Sequence, residues 1–362
     1  MSSLSLHEFH SALHAEFAQV NGEEVVSHYG DWLAEYAALH ESAAVFDLSF
    51  RSRICLLSAD RQKFLNGQVT NNVKDLKTGE GCYAAIISAK GKMQSDLNIF
   101  CLENELLLDF EPGLASFVSE RLEKFIIADD VQIVDVAPHY GLLSVQGPKA
   151  AQVLSGLQLD FSIPEKPLSF STVKDDTLGE IYLMNQARVG GNGFDLFVPT
   201  NSLGAVADKL IASAKKNGGR AAGWQALETA RIEAGIPRFG ADMNETNLPP
   251  EAGIDSRAIS YSKGCYIGQE VIARIRTYGQ VAKALRGLRL ADDLKQLPVK
   301  GDKLFLGEKD VGYITSAIAS PKLKCNLAIG YVRREANKIG TELLTGSETR
   351  SVAKIVELPF VR

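Results

Sequence analysis

Of the five cysteines in this chain, one stands where a thiol can do chemistry. Cys265 lies in YSKGCYIGQEVIARIR, residues 261–276, a polar segment punctuated by Gly264 and Gly268, with Lys263 two positions before it and Gln269-Glu270 shortly after. A thiolate is a soft nucleophile and a soft metal ligand, and a nearby ammonium and backbone N–H groups bared by glycine favour it over the thiol. Those are the roles expected of Lys263, Gly264 and Gly268. Cys55 in RICLL and Cys101 in NIFCLE sit inside apolar runs, and Cys82 and Cys325 open similar runs. All four read as small buried hydrophobes. The odd number, wide spacing and lack of any C-x-x-C fit a reducing compartment, with no disulfide framework or cysteine-rich metal knuckle. One cysteine cannot hold an iron–sulfur cluster, which takes about four thiolates or equivalents.

His7, His10 and His14 recur at i, i+3 and i+7 of an expected N-terminal helix and so share a face. No acidic or sulfur ligand joins them at a matching spacing, and a zinc site needs three or four converging ligands. They read as solvent-facing helix residues, and no metal is expected.

The elements that must carry such residues are bounded by size and charge. A chain of 362 residues exceeds one ordinary core and implies two or three domains. Lys plus Arg number 39 against 44 Asp plus Glu, a net charge of −5. That is the wrong sign for a protein whose main task is to grip a phosphate backbone, so no direct nucleic-acid partner is expected. Lys215, Lys216 and Arg220 cluster where a helix ends, and there cations offset exposed carbonyls. No apolar stretch approaches the ~20 residues that span a bilayer, and the first residues lack a basic start followed by an apolar run. The expectation is a cytoplasmic protein with no membrane partner.

From residue 41 the pattern alternates between strands and single amphipathic helices. SRICLLS reads as a strand, after which Ser58 caps a helix carrying Phe64 and Leu65. GCYAAIIS and SDLNIFCLE form a hairpin around AKGKM, and ELLLDFE supplies a further strand. Residues 113–125 place Leu114, Phe117, Val118, Leu122 and Phe125 at helical spacing, so these form a buried stripe. A second unit repeats the theme through YGLLSVQG, GEIYLMN and GFDLFVPT, ending in a helix through Leu203, Val206, Leu210 and Ile211 that stops at Gly218-Gly219. Hairpins interrupted by single helices indicate an α+β fold rather than a doubly wound parallel sheet. GGNG at 190–193 precedes a strand rather than a helix, which excludes a dinucleotide loop, and no Walker pattern occurs. After about residue 280, short strands with turn residues between them predict a small β-barrel or sandwich. Residues 235–270, long, polar and rich in turn residues, read as a functional loop. The expected organisation is an N-terminal helical segment over 1–40, a body over 41–280 and a β-barrel domain over 281–362.

At this point LNGQVTNNV (65–73), GCYAAIISAKGKMQSDL (81–97), SVQGPKA (144–150), RIEAGIPRFGADM (231–243), NLPPEAG (247–253) and above all KGCYIGQEV (263–271) resemble the YgfZ family of the GcvT superfamily. The resemblance runs from about residue 41 to the end and leaves 1–40 without a counterpart. It implies a body of two related α/β parts around a central cavity that holds a tetrahydrofolate or a one-carbon derivative. A reduced pterin offers two donors on its amidine edge, which a carboxylate accepts. The resemblance gives that part to Asp195 in GFDL, one methylene shorter than the glutamate that relatives of this type carry. It also assigns Arg231 to the folate, and places Asn66, Gln68 and Tyr83 around the cavity.

In the glycine cleavage T-protein, the founding relative, two adjacent acids stand near the reacting folate nitrogens; here Ser95 replaces the first and Asp96 stays. A third acid of that relative corresponds to Cys265. Losing a carboxylate weakens stabilisation of a developing cation, and each 1.4 kcal/mol lost costs about tenfold in rate. The resemblance therefore implies a folate-binding protein that supports assembly or repair of iron–sulfur clusters in client enzymes, tRNA-modifying enzymes among them. Cys265, Lys263 and the motif residues Gly264, Tyr266, Gly268, Gln269 and Glu270 would face those partners. The alternative is a folate-dependent aminomethyltransferase or other one-carbon transferase.

Overall fold

The computed structural model describes residues 3–346 and 350–361. The chain divides into two compact units, one made of Met1–Ala84 with Asp96–Glu228 and the other of Ala85–Ser95 with Thr229–Arg362. Residues 3–40 lie within the first unit and the strands after residue 280 within the second.

The first unit opens with α1 (His7–Ala12), the hairpin β1 (Glu16–Val20) and β2 (Glu23–His28), and α2 (Trp32–Glu41). Residues 1–40 are therefore not simply helical. Asn21 and Gly22 form the two-residue turn between paired Val20 and Glu23, with φ of 51° and 86°. An Asn-Gly pair adopts that left-handed geometry at low cost. Asp31 caps α2 by accepting from the Ala34 amide at 3.0 Å.

Next come β3 (Ala44–Asp47), β4 (Ser52–Leu57), α3 (Arg61–Gln68), the hairpin β5 (Gly81–Ile87) and β6 (Met93–Cys101), β7 (Leu106–Phe110), α4 (Ala115–Glu123) and β8 (Gln132–Asp135). Five of these strands form one sheet in the order β5-β6-β7-β4-β8. Ser58 does not cap α3: it takes a positive φ of 77°, and Asp60 holds the N-cap position. The stripe expected on α4 is also narrower. Val118 and Leu122 are buried, but Phe117 and Phe125 are 46% and 40% exposed. Arg121 takes their place on the inner face, donating to Gln68 at 3.1 Å and lying 4.2 Å from the centre of the Phe125 ring.

The six-stranded sheet adds β9 (Tyr140–Gln146), β10 (Phe170–Asp175), β11 (Gly179–Asn185), β12 (Gly193–Pro199) and β13 (Arg220–Ala221), in the order β10-β11-β12-β9-β3-β13. Helices α5 (Ala150–Ser155) and α6 (Leu203–Lys216) cover it. Val153, Leu154, Val206 and Leu210 meet Val145, Leu196 and Val198 in one buried cluster. The turn after α6 places Gly218 at φ 82°, a left-handed conformation that suits glycine.

Helix α7 (Trp224–Glu233) leads to the long loop, with α8 (Asp255–Ala258) and α9 (Gln269–Tyr278). Strands β14 (Lys283–Leu290), β15 (Lys303–Leu306), β16 (Lys309–Ser320), β17 (Cys325–Arg333), β18 (Glu342–Thr345) and β19 (Ser351–Val356) then close into a barrel. Closure comes from β14 pairing with both β17 and β19. Of the barrel and the sandwich expected from sequence, the barrel is what forms. Leu288, Leu304, Val311, Ile314, Val332 and Ile355 fill it. Among the described residues no helix is long and apolar enough to cross a membrane.

Gly312 marks a place where backbones approach too closely for any side chain, since an added Cβ would lie 2.0 Å from the Tyr331 carbonyl oxygen. Gly312→Ala should destabilise the barrel by about 1–3 kcal/mol, the usual cost of overpacking. Urea unfolding checks this, and a loss below about 0.5 kcal/mol would show that the strands relax instead.

Candidate functional site

Strand register puts a charged face on the five-stranded sheet. Asp109 on β7 stands opposite Asn98 on β6 and Arg53 on β4. Side chains two residues apart share a face, so Asp96 and Glu111 extend the same polar row. β7 lies between two strands, and all five of its residues are buried. Asp109 is thus a carboxylate in a dry place, 1% exposed.

Two arginines answer it. Arg51 grips Asp109 with both ends of its fork, Nε to Oδ1 at 2.7 Å and Nη2 to Oδ2 at 3.1 Å, and reaches Glu111 at 2.7 Å through Nη1. Arg188, from the loop between β11 and β12, donates from Nη2 to Asp109 Oδ2 at 3.0 Å. Asn98 adds a hydrogen bond at 3.1 Å. Burial alone would raise the Asp109 carboxyl, but the two guanidinium groups hold it far below the usual range.

Arg188 also engages the carboxylate assigned to folate. Its Nε and Nη2 donate to Asp195 Oδ2 at 2.9 and 2.5 Å. Asp195 is 1% exposed, so it is not a solvated strand residue. Its Oδ1 is buried and makes no hydrogen bond of good geometry. Burial pushes the Asp195 carboxyl up, Arg188 opposes that, and Asp109 adds to the rise.

Tyr83 and Asp96, both singled out from sequence, come together: the phenol donates to Asp96 Oδ2 at 2.7 Å. Burial, with help from Glu111, pushes the Asp96 carboxyl up to about 6, against the pull of Tyr83 and Arg51. Ser95 beside it is fully buried and brings no charge. Asp96 is therefore a carboxyl able to hold or release a proton near neutral pH. Asn66 and Gln68 have framework duties. Asn66 Oδ1 accepts from the Val73 and Lys74 amides at 3.0 and 3.3 Å, and Gln68 accepts from Arg121.

In the second unit, Arg231 is 4% exposed. Its Nη1 bonds Asp242 and the Ile236 carbonyl, and its Nη2 donates to Ser316 at 3.0 Å. Thr315 and Ser316 hydroxyls both reach Asp242 Oδ1, at 2.6 and 2.7 Å. Burial raises the Asp242 carboxyl, while Arg231 and these hydroxyls bring it below its ordinary value. The arginine expected to hold folate is thus tied into a buried cluster with Asp242 and the barrel residue Ser316.

Cys265 is exposed, and it is the one cysteine so classed; Cys55 and Cys101 are buried, whereas Cys82 and Cys325 are only half-buried. The last two are therefore not core residues in full. Gly268 caps the start of α9, with a φ of 81° and a Cβ position that would lie 2.4 Å from the Ser88 carbonyl oxygen. Glycine is required there on both grounds. Gln269 accepts from the Tyr266 amide at 3.1 Å, which ties the loop to the helix start. Lys263 sets its ammonium 5.0 Å from the centre of the Tyr266 ring, and Glu270 pairs with Arg274 at 3.2 Å. Gly264 has open space where a side chain would stand.

Of the three N-terminal histidines expected in solvent, His14, just past the end of α1, is exposed, whereas the other two are held by partners. His7 contacts Glu24, and the buried His10 bridges Asp47 and Tyr29, each at 2.8 Å. Among the described residues no three His, Cys, Asp or Glu side chains gather as a metal site.

Sequence reasoning missed Arg51, Asp109, Glu111 and Arg188. The available signal was an acid inside ELLLDFE: a charge in an apolar run destined for a central strand demands a buried partner.

The raised Asp96 carboxyl makes a stability prediction. Its folded value lies above the unfolded one, so its contribution is fully present below about pH 3.8 and is lost as pH rises through about 6. Asp96→Asn should therefore gain stability relative to the parent across that window, with the difference level at higher pH. Urea unfolding at stepped pH measures it, and a difference independent of pH would show that Asp96 titrates normally.

Comparison with known proteins agrees with this architecture. Residues 6–263 match the GCVT N-terminal domain, and residues 283–362 match the glycine cleavage T-protein C-terminal barrel domain. The first match begins at residue 6, so the N-terminal segment has a counterpart after all. An aminomethyltransferase of Cupriavidus necator is 29% identical over 381 residues, covering 100% of this chain and 98% of that protein. One from Halalkalibacterium halodurans is 29% identical over 336 residues, covering 91% and 89%. A putative chloroplastic transferase of Arabidopsis thaliana is 26% identical, covering 98% and 80%. The crystal structure of glycine cleavage system aminomethyltransferase T from Bartonella henselae superposes with a TM-score of 0.90 at 23% identity over 99% of this chain and 98% of that one, which shows a shared fold. The chain, a GcvT-like α/β body followed by a closed six-stranded barrel, belongs to the GcvT superfamily.

Proposed function

We propose that this protein binds tetrahydrofolate. The observation that carries the reading is Asp195, a buried carboxylate with Oδ2 engaged by Arg188 and Oδ1 making no hydrogen bond of good geometry. An acceptor buried without a donor is costly, and an N–H on the amidine edge of a pterin supplies what it lacks. The fit differs from a two-point grip, because one oxygen is already taken. When bound, tetrahydrofolate supplies a carrier for one-carbon groups. Asp96, steadied by Tyr83, holds or moves a proton at Oδ1 or Oδ2, and Ser95 leaves it the single acid of that pair. Arg231 has a supporting part in this proposal, fixing Asp242 against Thr315 and Ser316.

Transfer of a one-carbon group is the use of folate that the relatives' names favour, since several are aminomethyltransferases. A second reading places the chain in the YgfZ branch, as a factor for assembly or repair of iron–sulfur clusters. Cys265 favours it: an exposed thiol stands where the T-protein carries an acid. Lys263, Tyr266, Gln269 and Glu270 then shape a surface that client proteins meet.

Calorimetric titration with tetrahydrofolate tests the shared part. Asp195→Ala should weaken binding about tenfold or more, since a hydrogen bond to a charged group contributes ~1.5–3 kcal/mol. No binding by the parent protein sinks the folate reading. Formation of 5,10-methylenetetrahydrofolate from an aminomethyl donor supports the transferase. Loss of iron–sulfur enzyme activity in cells carrying Cys265→Ala, with folate affinity intact, supports the second reading; a fully active variant removes it.

A further inference from the structure

The stretch QARVGGNG, residues 186–193, leads into β12, and the structure gives it a definite task. Its ends are pinned, with the Gln186 amide on the Gly193 carbonyl at 3.0 Å and the Gly147 amide on the Asn192 carbonyl at 2.9 Å. Gln146 holds its middle: Oε1 accepts from the Arg188 amide at 3.0 Å, while Nε2 donates to Ser144 and to the Gln186 carbonyl, each at 2.9 Å. Gln146 can lie there only because residue 193 is glycine, since a Cβ at that position would stand 2.0 Å from Gln146 Oε1. The result is an arginine fixed independently of the acid it serves. Its Nη2 is further anchored on Asp109, which Arg51 holds from the other side.

We propose that Arg188 is a positioning residue that keeps Asp195 an acceptor-only carboxylate with Oδ2 occupied, so that a ligand is recognised through one N–H donor at Oδ1. The inference rests on the folate-binding reading of Asp195. The groups around that carboxylate are few. Arg188 comes from the loop, Asp109 from β7 and Ser144 from the neighbouring β9, while the opposite residue on β11 is Met184. Burial and the like charge of Asp109 both favour protonation; Arg188 and the Ser144 hydroxyl oppose it. A protonated carboxyl would present a donor to a donor, and recognition would fail. Arg51 does not substitute, because its fork is committed to Asp109 and Glu111.

The test is calorimetric titration of tetrahydrofolate between about pH 6 and 9 with the parent, Arg188→Gln and Arg188→Lys. The parent should bind with affinity nearly independent of pH. Arg188→Gln should bind about tenfold more weakly at the acid end, one pK unit being a tenfold change in the acceptor form. It should recover as pH rises, because the ionised acceptor is then restored. Arg188→Lys should return most of the flat profile. Equal weakening at every pH, with normal thermal unfolding, would make Arg188 merely structural and overturn the proposal; so would an unchanged Arg188→Gln. If Arg188→Gln fails to fold, Gly193→Ala, which displaces Gln146 from the Arg188 amide, carries the same comparison. If the parent binds no tetrahydrofolate, the functional reading fails by itself. Carbon NMR titration of Asp195 in the ligand-free proteins then still decides the inference, which requires a higher pKa in Arg188→Gln than in the parent.

Discussion

A carboxylate buried in the middle of a sheet must be met by cations, and Asp109 is met by two. Arg51 approaches along its own sheet, next to β4, whereas Arg188 arrives from the loop that joins β11 to β12 in the other sheet of the first unit. The buried pair is thus also a cross-link between sheets. Removing one partner of such a group leaves a charge that water cannot reach, at a typical cost of about 3–5 kcal/mol. That cost ties the polar face of the five-stranded sheet to the geometry of Asp195, and the candidate site depends on both.

The same arrangement divides the acids by role. Asp109 is held ionised by two guanidinium groups, while Asp96, with Glu111 nearby and Tyr83 on one oxygen, is lifted toward neutral pH. Environments that push neighbouring carboxyls apart are how one fold separates a fixed charge from a proton carrier. Arg53 is a different case. It is almost fully buried on the same face, and its guanidinium is met by the Arg51, Ser49 and Tyr140 carbonyls, so it stitches loops rather than pairing with an acid.

The Cys265 loop belongs to the second unit, and its shape has a separate cause. The turn at Ser88–Gly91 and the start of α9 come close enough that Gly91 and Gly268 both lack room for a side chain: a Cβ on Gly91 would lie 2.9 Å from Val271, and one on Gly268 would meet Ser88. AKGKM and KGCYIGQE, far apart in the chain, are therefore one packing unit. Lys92 reinforces it by reaching the Thr246 carbonyl at 2.8 Å.

Much of this could be read from residues alone. Short apolar runs between turn residues marked the strands, the change of texture near residue 280 marked the barrel, and the polar surroundings of Cys265 set it apart from Cys55 and Cys101. The motif stretches pointed to the superfamily. The Asn21-Gly22 turn was equally legible and was passed over, as was the acid in ELLLDFE. What the sequence could not supply was partnership. Strand order β5-β6-β7-β4-β8 sets Asn98 and Arg53 beside Asp109, and the crossing of a loop from another sheet gives Asp195 to Arg188. Arg231 likewise meets Asp242 and Ser316 only because the barrel folds back on α7. Local pattern determines which segments form strands and which residues are apolar, because those depend on near neighbours. Which charges share a dry site depends on contacts between distant segments, and only the tertiary structure decides those.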